Sequence, residues 1–356
     1  MPLHVSHAKA FTNDIGESLL PSVRHHLRFI GVEEKIASFG FHKKPGATIK
    51  LSQLKRGAWF LDTDFLALGR DNYAWNVTRS EFDRILLDHA ESTGVHVFRS
   101  TNVTSLYFSG KRPTSAQWNH GTSSWSGTIA FDYLIDASGR AGLIASHYLQ
   151  NRRSNASLRN VAMWAKWRNT DASARGTAME GATYIEALSD QSGWAWFIPL
   201  HDGVASVGIV RTQIAFNQAL RSRDYRLKLS ESFEATPLKD AITTSSSVAS
   251  CSDHDSSTSG QSTVVWDSTV LLSSLSSSPS PFSRGDACIT PTATGKLYID
   301  ALDLAPTVNR LLGCKGEPES TTVYTARDYS YCASYYAGEH FRLVGDAAGA
   351  LLYSNI

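Results

Sequence analysis

Long apolar runs are missing from the 356-residue sequence, and neither sign of charge dominates it. No stretch approaches the roughly 18 apolar residues of a membrane-spanning helix, and the N-terminus lacks the apolar core of a signal peptide. Positive and negative side chains almost cancel, at a formal net charge of +1. This balance gives no reason to expect nucleic acid or an anionic membrane as a partner. We therefore expect a cytoplasmic protein without either partner.

Cysteine is scarce as well. The four cysteines show no C-x-x-C spacing, so the sequence predicts neither a zinc site nor a disulfide framework, and we expect no bound metal. Hydrophobic residues make up 42% of the chain. A chain of this length and composition is able to build a sizeable core in one large domain or two intimate ones.

Helix and strand signals alternate in the first part of the chain. Ser18 is suited to cap a helix that has Pro21 in its first turn. A second helix is predicted at about residues 80–92 from its apolar spacing. Strands are predicted in VHVF, NVTSLYFSG and GTIAFDYLIDASGR. The last of these ends at Asp136 and Gly139, which is typical of the carboxyl edge of a doubly wound sheet, where nucleotides bind.

A different pattern begins at residue 161. Residues 161–212 contain several alternating strands, which predicts an antiparallel sheet suited to covering a substrate. Residues 243–285 are rich in serine and too polar to bury enough surface to fold alone. We expect disorder there, or an insertion foreign to the fold. Regular patterning resumes at Gly295.

Two tryptophans stand one residue apart in SGWAWFIPLHDG. Alternation predicts a strand with Trp194 and Trp196 on one face and Ala195 and Phe197 on the other. Pro199 then ends that strand or confines it to an edge. Taken alone, the tryptophans are better explained as residues of a sheet core than by a functional role.

Three further motifs are suited to nucleotide binding. In FRLVGDAAGALL a strand runs into Gly345, Asp346 and Ala347, which present backbone N–H groups and a carboxylate to a ribityl or phosphate chain. Glu17 lies between a glycine and the predicted helix cap. Arg79 precedes a helix, where a cation is able to meet a pyrophosphate. A tight turn and a solvated surface arginine are the ordinary structural alternatives.

The order of these motifs resembles that of flavin-dependent halogenases, in the fungal branch that chlorinates phenolic natural products. The landmarks are G-E-S-x-L-P, V-x-R-S-x-F-D, D-A-S-G-R, W-x-W-x-I-P and G-D-A-A, and they extend over most of the chain. The resemblance implies an α/β fold with an FAD-binding Rossmann-like domain of the hydroxylase type and an interleaved antiparallel β-sheet substrate domain. The implied boundaries are 1–160 and 335–356 for the FAD-binding parts, 161–243 and 295–334 for the substrate-covering part, and 244–294 for the serine-rich insertion.

The resemblance also implies an activity. Reduced FAD from a separate flavin reductase, oxygen and chloride yield hypochlorous acid, which chlorinates a small aromatic substrate. The W-x-W-x-I-P residues keep the substrate away from the flavin, so that chlorination wins over hydroxylation. The residues implied in this separation are Trp194, Trp196, Ile198 and Pro199. The residues implied in cofactor binding are Gly16, Glu17, Ser18, Arg79, Asp136, Gly139, Gly345, Asp346 and Ala347.

A lysine is implied as the second catalytic element. FHKKPGATIKL matches the family's K-K-x-G-A-x-F-K stretch, and the catalytic lysine falls on Lys44, with Lys43 and Lys50 as rivals. Its amine is implied to hydrogen-bond hypochlorous acid or to carry the chlorine as a chloramine. Partial burial of that amine would lower its pKa.

The sequence departs from the family pattern at both ends. MPLHVSHAKAFTND contains no glycine, and the residues after Ala348 do not continue into the expected chloride-binding turn. We expect a truncated member without the first βα unit, with an apolar edge near Ile135 and Leu343, weak FAD binding and little or no halogenase activity. An FAD-dependent aromatic hydroxylase and an inactive remnant are the alternative functions.

Overall fold

The computed structural model describes residues 3–5, 15–53, 60–121, 125–155, 158–171, 176–221, 291–320, 322–327 and 330–350. All but the last four residues of the predicted serine-rich insertion lie outside these ranges. Within them, every helix is too short or too polar to cross a bilayer.

Six α-helices are found in the described residues. They are Val23–Phe29 (α1), Glu33–Ser38 (α2), Arg79–Ser92 (α3), Gln213–Arg221 (α4), Pro291–Leu302 (α5) and Pro306–Leu312 (α6). The strands are Leu3–Val5 (β1), His42–Lys44 (β2), Gly46–Lys50 (β3), Phe60–Asp64 (β4), Ala74–Asn76 (β5), His96–Phe98 (β6), Thr101–Ser109 (β7), Arg112–His120 (β8), Ser126–Ala130 (β9), Leu134–Asp136 (β10), Arg152–Ser154 (β11), Asn160–Arg168 (β12), Thr183–Ala187 (β13), Gly193–Pro199 (β14), Val204–Thr212 (β15), Glu317–Pro318 (β16), Tyr324–Arg327 (β17), Tyr331–Ala333 (β18), Ala337–Gly338 (β19), Phe341–Leu343 (β20) and Gly349–Ala350 (β21).

An eight-stranded sheet is the largest element of the fold. Its order is β16-β12-β15-β14-β13-β3-β4, and β17 pairs with β12 as well. The pairs from β12 to β13 are antiparallel, whereas β13 and β3 run parallel. The antiparallel sheet predicted for residues 161–212 is confirmed.

The two faces of this sheet bury different side chains. On one face Ala195, Phe197 and Val207 belong to a core that includes residues of α4, α5 and α6. On the other face Trp196 and Ile198 belong to a second core, and Trp194 packs against it. The alternation predicted from the sequence is therefore correct. Both faces of β14 are covered, so its apolar run is nearly continuous.

The nucleotide-type turns follow a short parallel pair. Strands β10 and β20 run parallel, and β10 ends at Asp136 as predicted. The predicted strand through residues 127–136 is two strands, because β9 pairs with β8 whereas β10 pairs with β20. Ile135 is 66% exposed, in agreement with the expected apolar edge, but Leu343 is buried at 5%. Leu343 instead packs in a core that contains Phe341.

The helix predicted from Ser18 begins later, at Val23, and Ser22 precedes it. Ser18 belongs to an extended segment, because it forms an isolated antiparallel bridge with Asn76 and the N–H of Leu19 donates to the carbonyl of Trp75. The Ser18 cap was therefore a wrong prediction. The second predicted helix is confirmed as α3, and the helix after the serine-rich stretch begins at Pro291, before Gly295.

Candidate active site

The G-E-S motif lies between β5 and the large sheet. The N–H of Val77 donates to the carbonyl of Glu17 at 2.7 Å, which holds the motif against the β5 region. The hydroxyl of Ser18 is 2.5 Å from that of Thr183 on β13, and the Thr183 hydroxyl donates to the side-chain carbonyl of Asn76 on β5. This polar chain joins the two sheets at the segment that carries Glu17.

The carboxyl group of Glu17 is buried, since the residue is only 4% exposed. Its partner Ser206, on β15, also accepts a hydrogen bond from the indole of Trp196. Burial raises the pKa of Glu17 to about 7, while a hydrogen bond with Ser206 and the charges of Lys166 and Arg79 oppose that rise. The pKa rises on balance because a carboxylate in a low-dielectric core loses more solvation free energy than these partners restore. Glu17 thus titrates near neutral pH.

We expect Glu17→Gln to remove a pH-dependent loss of stability. From pH 4.5 to about 7 the folded state keeps the proton that the unfolded state has lost. The stability of the wild type therefore falls as pH rises through this window, by about 3 kcal/mol for a shift of this size. Urea unfolding between pH 5 and 8 measures it. The exposed Glu34→Gln control should keep the wild-type slope; an unchanged slope in Glu17→Gln would contradict the assignment.

Lys44 is the buried member of the lysine pair. It is 4% exposed, and its Nζ donates to the carbonyl of Leu19 at 3.0 Å. Its amine also lies 5.1 Å from the centre of the Phe65 ring. Burial lowers the pKa of Lys44 to about 8. At pH 7 about one tenth of such amines are uncharged, a far larger share than for an ordinary lysine.

The rival lysines lie in other surroundings. Lys43 is exposed, with its Nζ 4.8 Å from the centre of the Tyr73 ring. Lys50 is 3.7 Å from the buried carboxylate of Glu186, which also accepts a hydrogen bond from the N–H of Val308. Glu186 belongs to the helix-covered face of the sheet. The Lys44 amine touches the G-E-S-x-L-P segment, at the carbonyl of Leu19.

The tryptophan face is an aromatic layer above the large sheet. The ring centres of Trp194 and Trp196 are 5.7 Å apart, and those of Trp164 and Trp196 are 6.5 Å apart. Trp196 is 5% exposed, and its core cluster contains Tyr331 and Ala350. The layer therefore lies beside the chain that follows the G-D-A-A turn.

The other two members of the W-x-W-x-I-P motif end β14. Ile198 is buried in the same cluster as Trp196, and Pro199 pairs with Ala205 at the last position of the β14–β15 ladder. The prediction that Pro199 closes the strand is correct.

Arg79, at the start of α3, is hydrogen-bonded to the segment that precedes Glu17. Its Nη1 donates to the carbonyl of Ile15 at 3.0 Å, and its other nitrogens bind Asp83 one turn along α3. Gly16 adopts a positive φ of 104°, and a Cβ there would come 2.7 Å from the Arg79 guanidinium. Glycine is required at that position. In this structure Arg79 fixes the turn that leads into Glu17.

The two predicted nucleotide turns stand at the ends of β10 and β20. The Asp136 carboxylate accepts the N–H groups of Ser138 and Ile144, so it stabilises its own turn. Gly139 and Gly345 have positive φ values and open space where a Cβ would lie. Ala347 is buried beneath the second turn, at 0% exposure.

An FAD chain fits the chemistry of these turns. The open glycines allow close approach of a ligand to the backbone, and the exposed Asp346 offers a carboxylate to a ribityl hydroxyl. Both turns stand at the carboxyl ends of a parallel strand pair, where nucleotides bind in α/β sheets. Asp136 stabilises the first turn from within, whereas Gly139, Gly345 and Asp346 lie where the turns are open to a ligand.

Sequence reasoning missed residues that join these parts. Arg152 donates to the carbonyl of Arg140 at 2.6 Å and stacks over Tyr331 at 4.0 Å from the ring centre. The Tyr331 hydroxyl donates to the carbonyl of Asp346 at 3.0 Å, so the pair ties the two turns together. Ser206 was missed as well, although a serine at an inward position of an apolar strand signals a buried hydrogen bond.

Comparison with known proteins identifies the class. A family model described as tryptophan halogenase matches residues 61–266. The chain is 40% identical over 336 residues to the flavin-dependent halogenase armH3 of Armillaria mellea, covering 94% of this chain and 54% of that protein. It is 35% identical to the sulochrin halogenase gedL of Aspergillus terreus, covering 94% and 51%. The chain thus spans about half the length of these relatives.

Solved structures share the fold. The myxobacterial chondrochloren halogenase CndH superposes with a TM-score of 0.68 at 20% identity, over 99% of this chain and 64% of that one. Halogenase PltM in complex with phloroglucinol and FAD gives a TM-score of 0.61 at 12% identity, over 99% and 60%. The fold is that of the FAD-dependent halogenases. The chain belongs to the tryptophan halogenase family, whose flavin-dependent members are FAD oxidoreductases.

Proposed function

We propose that this protein takes part in the chlorination of an electron-rich aromatic, phenolic compound. The observation that carries the proposal is the meeting of a buried lysine and an aromatic layer at one segment. Glu17 reaches Ser206 beneath the tryptophans, while the carbonyl of Leu19 holds Lys44. One short segment therefore contacts the aromatic layer through Glu17 and the lysine amine through Leu19.

FAD belongs to this proposal as the cofactor, reduced by a separate flavin reductase. The turns that contain Gly139, Gly345 and Asp346 would hold it. When bound, FADH₂ supplies with O₂, chloride and a proton the oxidation that gives hypochlorous acid, water and FAD. No metal enters this scheme.

The chain's own residues then direct the oxidant. Lys44 hydrogen-bonds the hypochlorous acid, or its neutral amine exchanges a proton for the chlorine, which gives a chloramine and releases water. The aromatic ring takes up chlorine and loses a proton, and water or the free amine is released. Trp194 and Trp196 keep the substrate away from the flavin, which excludes direct hydroxylation.

A phenolic substrate is supported by the chemistry and by one neighbour. Electrophilic chlorine reacts readily with rings that a hydroxyl group makes electron-rich. Halogenase PltM was crystallised with FAD and phloroglucinol, a trihydric phenol. The relatives named above are called flavin-dependent halogenase and sulochrin halogenase.

The test is a reconstituted reaction of the 356-residue chain. The protein is supplied with FAD, a flavin reductase, NADH, oxygen, chloride and phloroglucinol, and the masses of the products are measured by mass spectrometry. A product with the chlorine isotope pair that is absent without chloride is the result expected from the proposed function, and it would contradict the low activity expected from the sequence alone. A product heavier by one oxygen would favour a hydroxylase, and a protein that binds no flavin by absorbance would favour the inactive alternative. Bromide in place of chloride determines the halide preference.

A further inference from the structure

The orientation of the Trp196 indole is fixed by two neighbours on β15. Its Nε1–H donates to the hydroxyl oxygen of Ser206 at 3.3 Å. Its ring covers Gly208, where an added Cβ would come 2.1 Å from the indole. Ser206 itself is fully buried. The indole is therefore held at its edge by a polar contact and at its face by a glycine.

Ser206 connects the indole to Glu17. An indole N–H is able only to donate, so the Ser206 oxygen accepts from Trp196 and its single hydrogen is free for another acceptor. The carboxyl group of Glu17 is that partner. The result is a hydrogen-bonded line from Glu17 through Ser206 to Trp196.

The charges around Glu17 come from two elements. Lys166 lies on β12 directly opposite Ser206 in the strand pairing, and Arg79 lies at the start of α3. Both act on the carboxyl group of Glu17 as positive charges, although burial outweighs them. These groups favour the ionised form and burial favours the protonated form, so small changes in the surroundings of Glu17 shift the ratio of the two forms.

We propose that Glu17 and Ser206 are positioning residues. They fix the orientation of the Trp196 indole, and they couple its hydrogen bond to the ionisation of Glu17. This inference rests on the proposed function, in which Trp196 separates flavin from substrate. When Glu17 is ionised, Ser206 must donate to it, and Trp196 faces a polarised acceptor. When Glu17 is protonated, its own O–H is able to donate to Ser206, and the hydrogen bond to the indole changes.

A nuclear magnetic resonance titration tests the line without flavin or substrate. The nine tryptophan side chains are labelled with ¹⁵N, and their indole N–H signals are followed from pH 5 to 9. We expect the Trp196 signal to shift with a midpoint near the pKa of Glu17, about 7. That signal is identified as the one missing from Trp196→Phe or, should this variant not fold, as the one that remains unassigned after each of the other eight tryptophans has been replaced with phenylalanine in turn.

Three variants decide the outcome. Glu17→Gln should abolish the titration of the Trp196 signal, and Ser206→Ala should abolish it too, while Ser206→Thr, which retains the hydroxyl, should restore it. The signal of Trp118, on the separate β7–β8–β9 sheet, should be unchanged throughout. A Trp196 signal that titrates equally in Glu17→Gln, or does not titrate in the wild type, would overturn the proposal.

A product measurement separates this inference from the proposed function. If the chain chlorinates, Ser206→Ala should lower the ratio of chlorinated to hydroxylated product by roughly tenfold or more. The reason is that the Trp196 ring, which separates substrate from flavin, would no longer be held in its position. If the titration is as expected but no chlorinated product forms in the wild type, the positioning line stands and the proposed function fails. An unchanged product ratio in Ser206→Ala would overturn the claim that Ser206 positions Trp196 for the reaction.

Discussion

Replacing Lys44 with alanine should lower the formation of chlorinated product by about 10²–10³-fold while the protein still oxidises FADH₂, a loss typical of one removed active-site donor. The amine is needed only after the oxidant has formed, so its removal spares the flavin reaction. Lys44→Met is the companion variant, because its similar length keeps the packing around Phe65 and isolates the loss of the amine. Oxygen uptake measures the first reaction and chlorinated product the second.

The matched control for Lys44 is its neighbour in β2. Lys43 is exposed, so Lys43→Ala should leave both rates near the wild type. Chlorination that survives in Lys44→Met would assign the role to Lys50 or to another residue. Loss of both reactions in Lys44→Met would instead show that this lysine maintains the structure of the site.

Gly208→Ala should destabilise the protein by about 2–3 kcal/mol or more, an effect typical of overpacking in a dense core. The added methyl group would overlap the Trp196 ring, and that ring is 5% exposed, with Trp164 and Trp194 beside it. The indole has no free space into which it could turn. Urea unfolding measures the loss, and we expect halogenation to fall with it because the aromatic layer is displaced.

Gly127→Ala provides the control for Gly208→Ala. Gly127 also lies opposite a tryptophan, and a Cβ there would come 2.9 Å from the Trp118 ring. Trp118 is only partly buried, so its ring is able to move aside. The net change for Gly127→Ala should stay within about 1 kcal/mol, because alanine in a strand gains roughly 0.5–1 kcal/mol over glycine and this gain offsets the cost of moving the ring. Equal losses in the two variants would contradict the role assigned to the Trp196 packing.

Local pattern alone predicted several elements correctly. The alternation of WAWFIP placed Trp194 and Phe197 on opposite faces of β14, and the apolar run ending at Asp136 identified the carboxyl end of β10. These features follow from periodicity and from residues that end strands, and both are determined by neighbours in the chain. The helix signal at 80–92 was read correctly for the same reason.

The predictions that local pattern could not settle concern residues with more than one local option. Ser18 has the chemistry of a helix cap, but its segment pairs with β5 and its hydroxyl meets Thr183, 165 positions away. Which of two adjacent lysines is buried depends on how β2 is placed against β5. Such choices are made by long-range pairing, which a local propensity does not contain.

The sequence by itself determined the strand with the tryptophans, the parallel pair with its glycine turns, and the motif order typical of a flavin-dependent halogenase. The tertiary structure alone decided that Glu17 is buried against Ser206, that Gly208 lies under Trp196, and that Lys44 touches the same segment. The physical reason is that burial and strand register join residues far apart in the chain. Desolvation then shifts the pKa of both Glu17 and Lys44, opposed at Glu17 by its partners, and neither burial nor partners exist before the sheets pack.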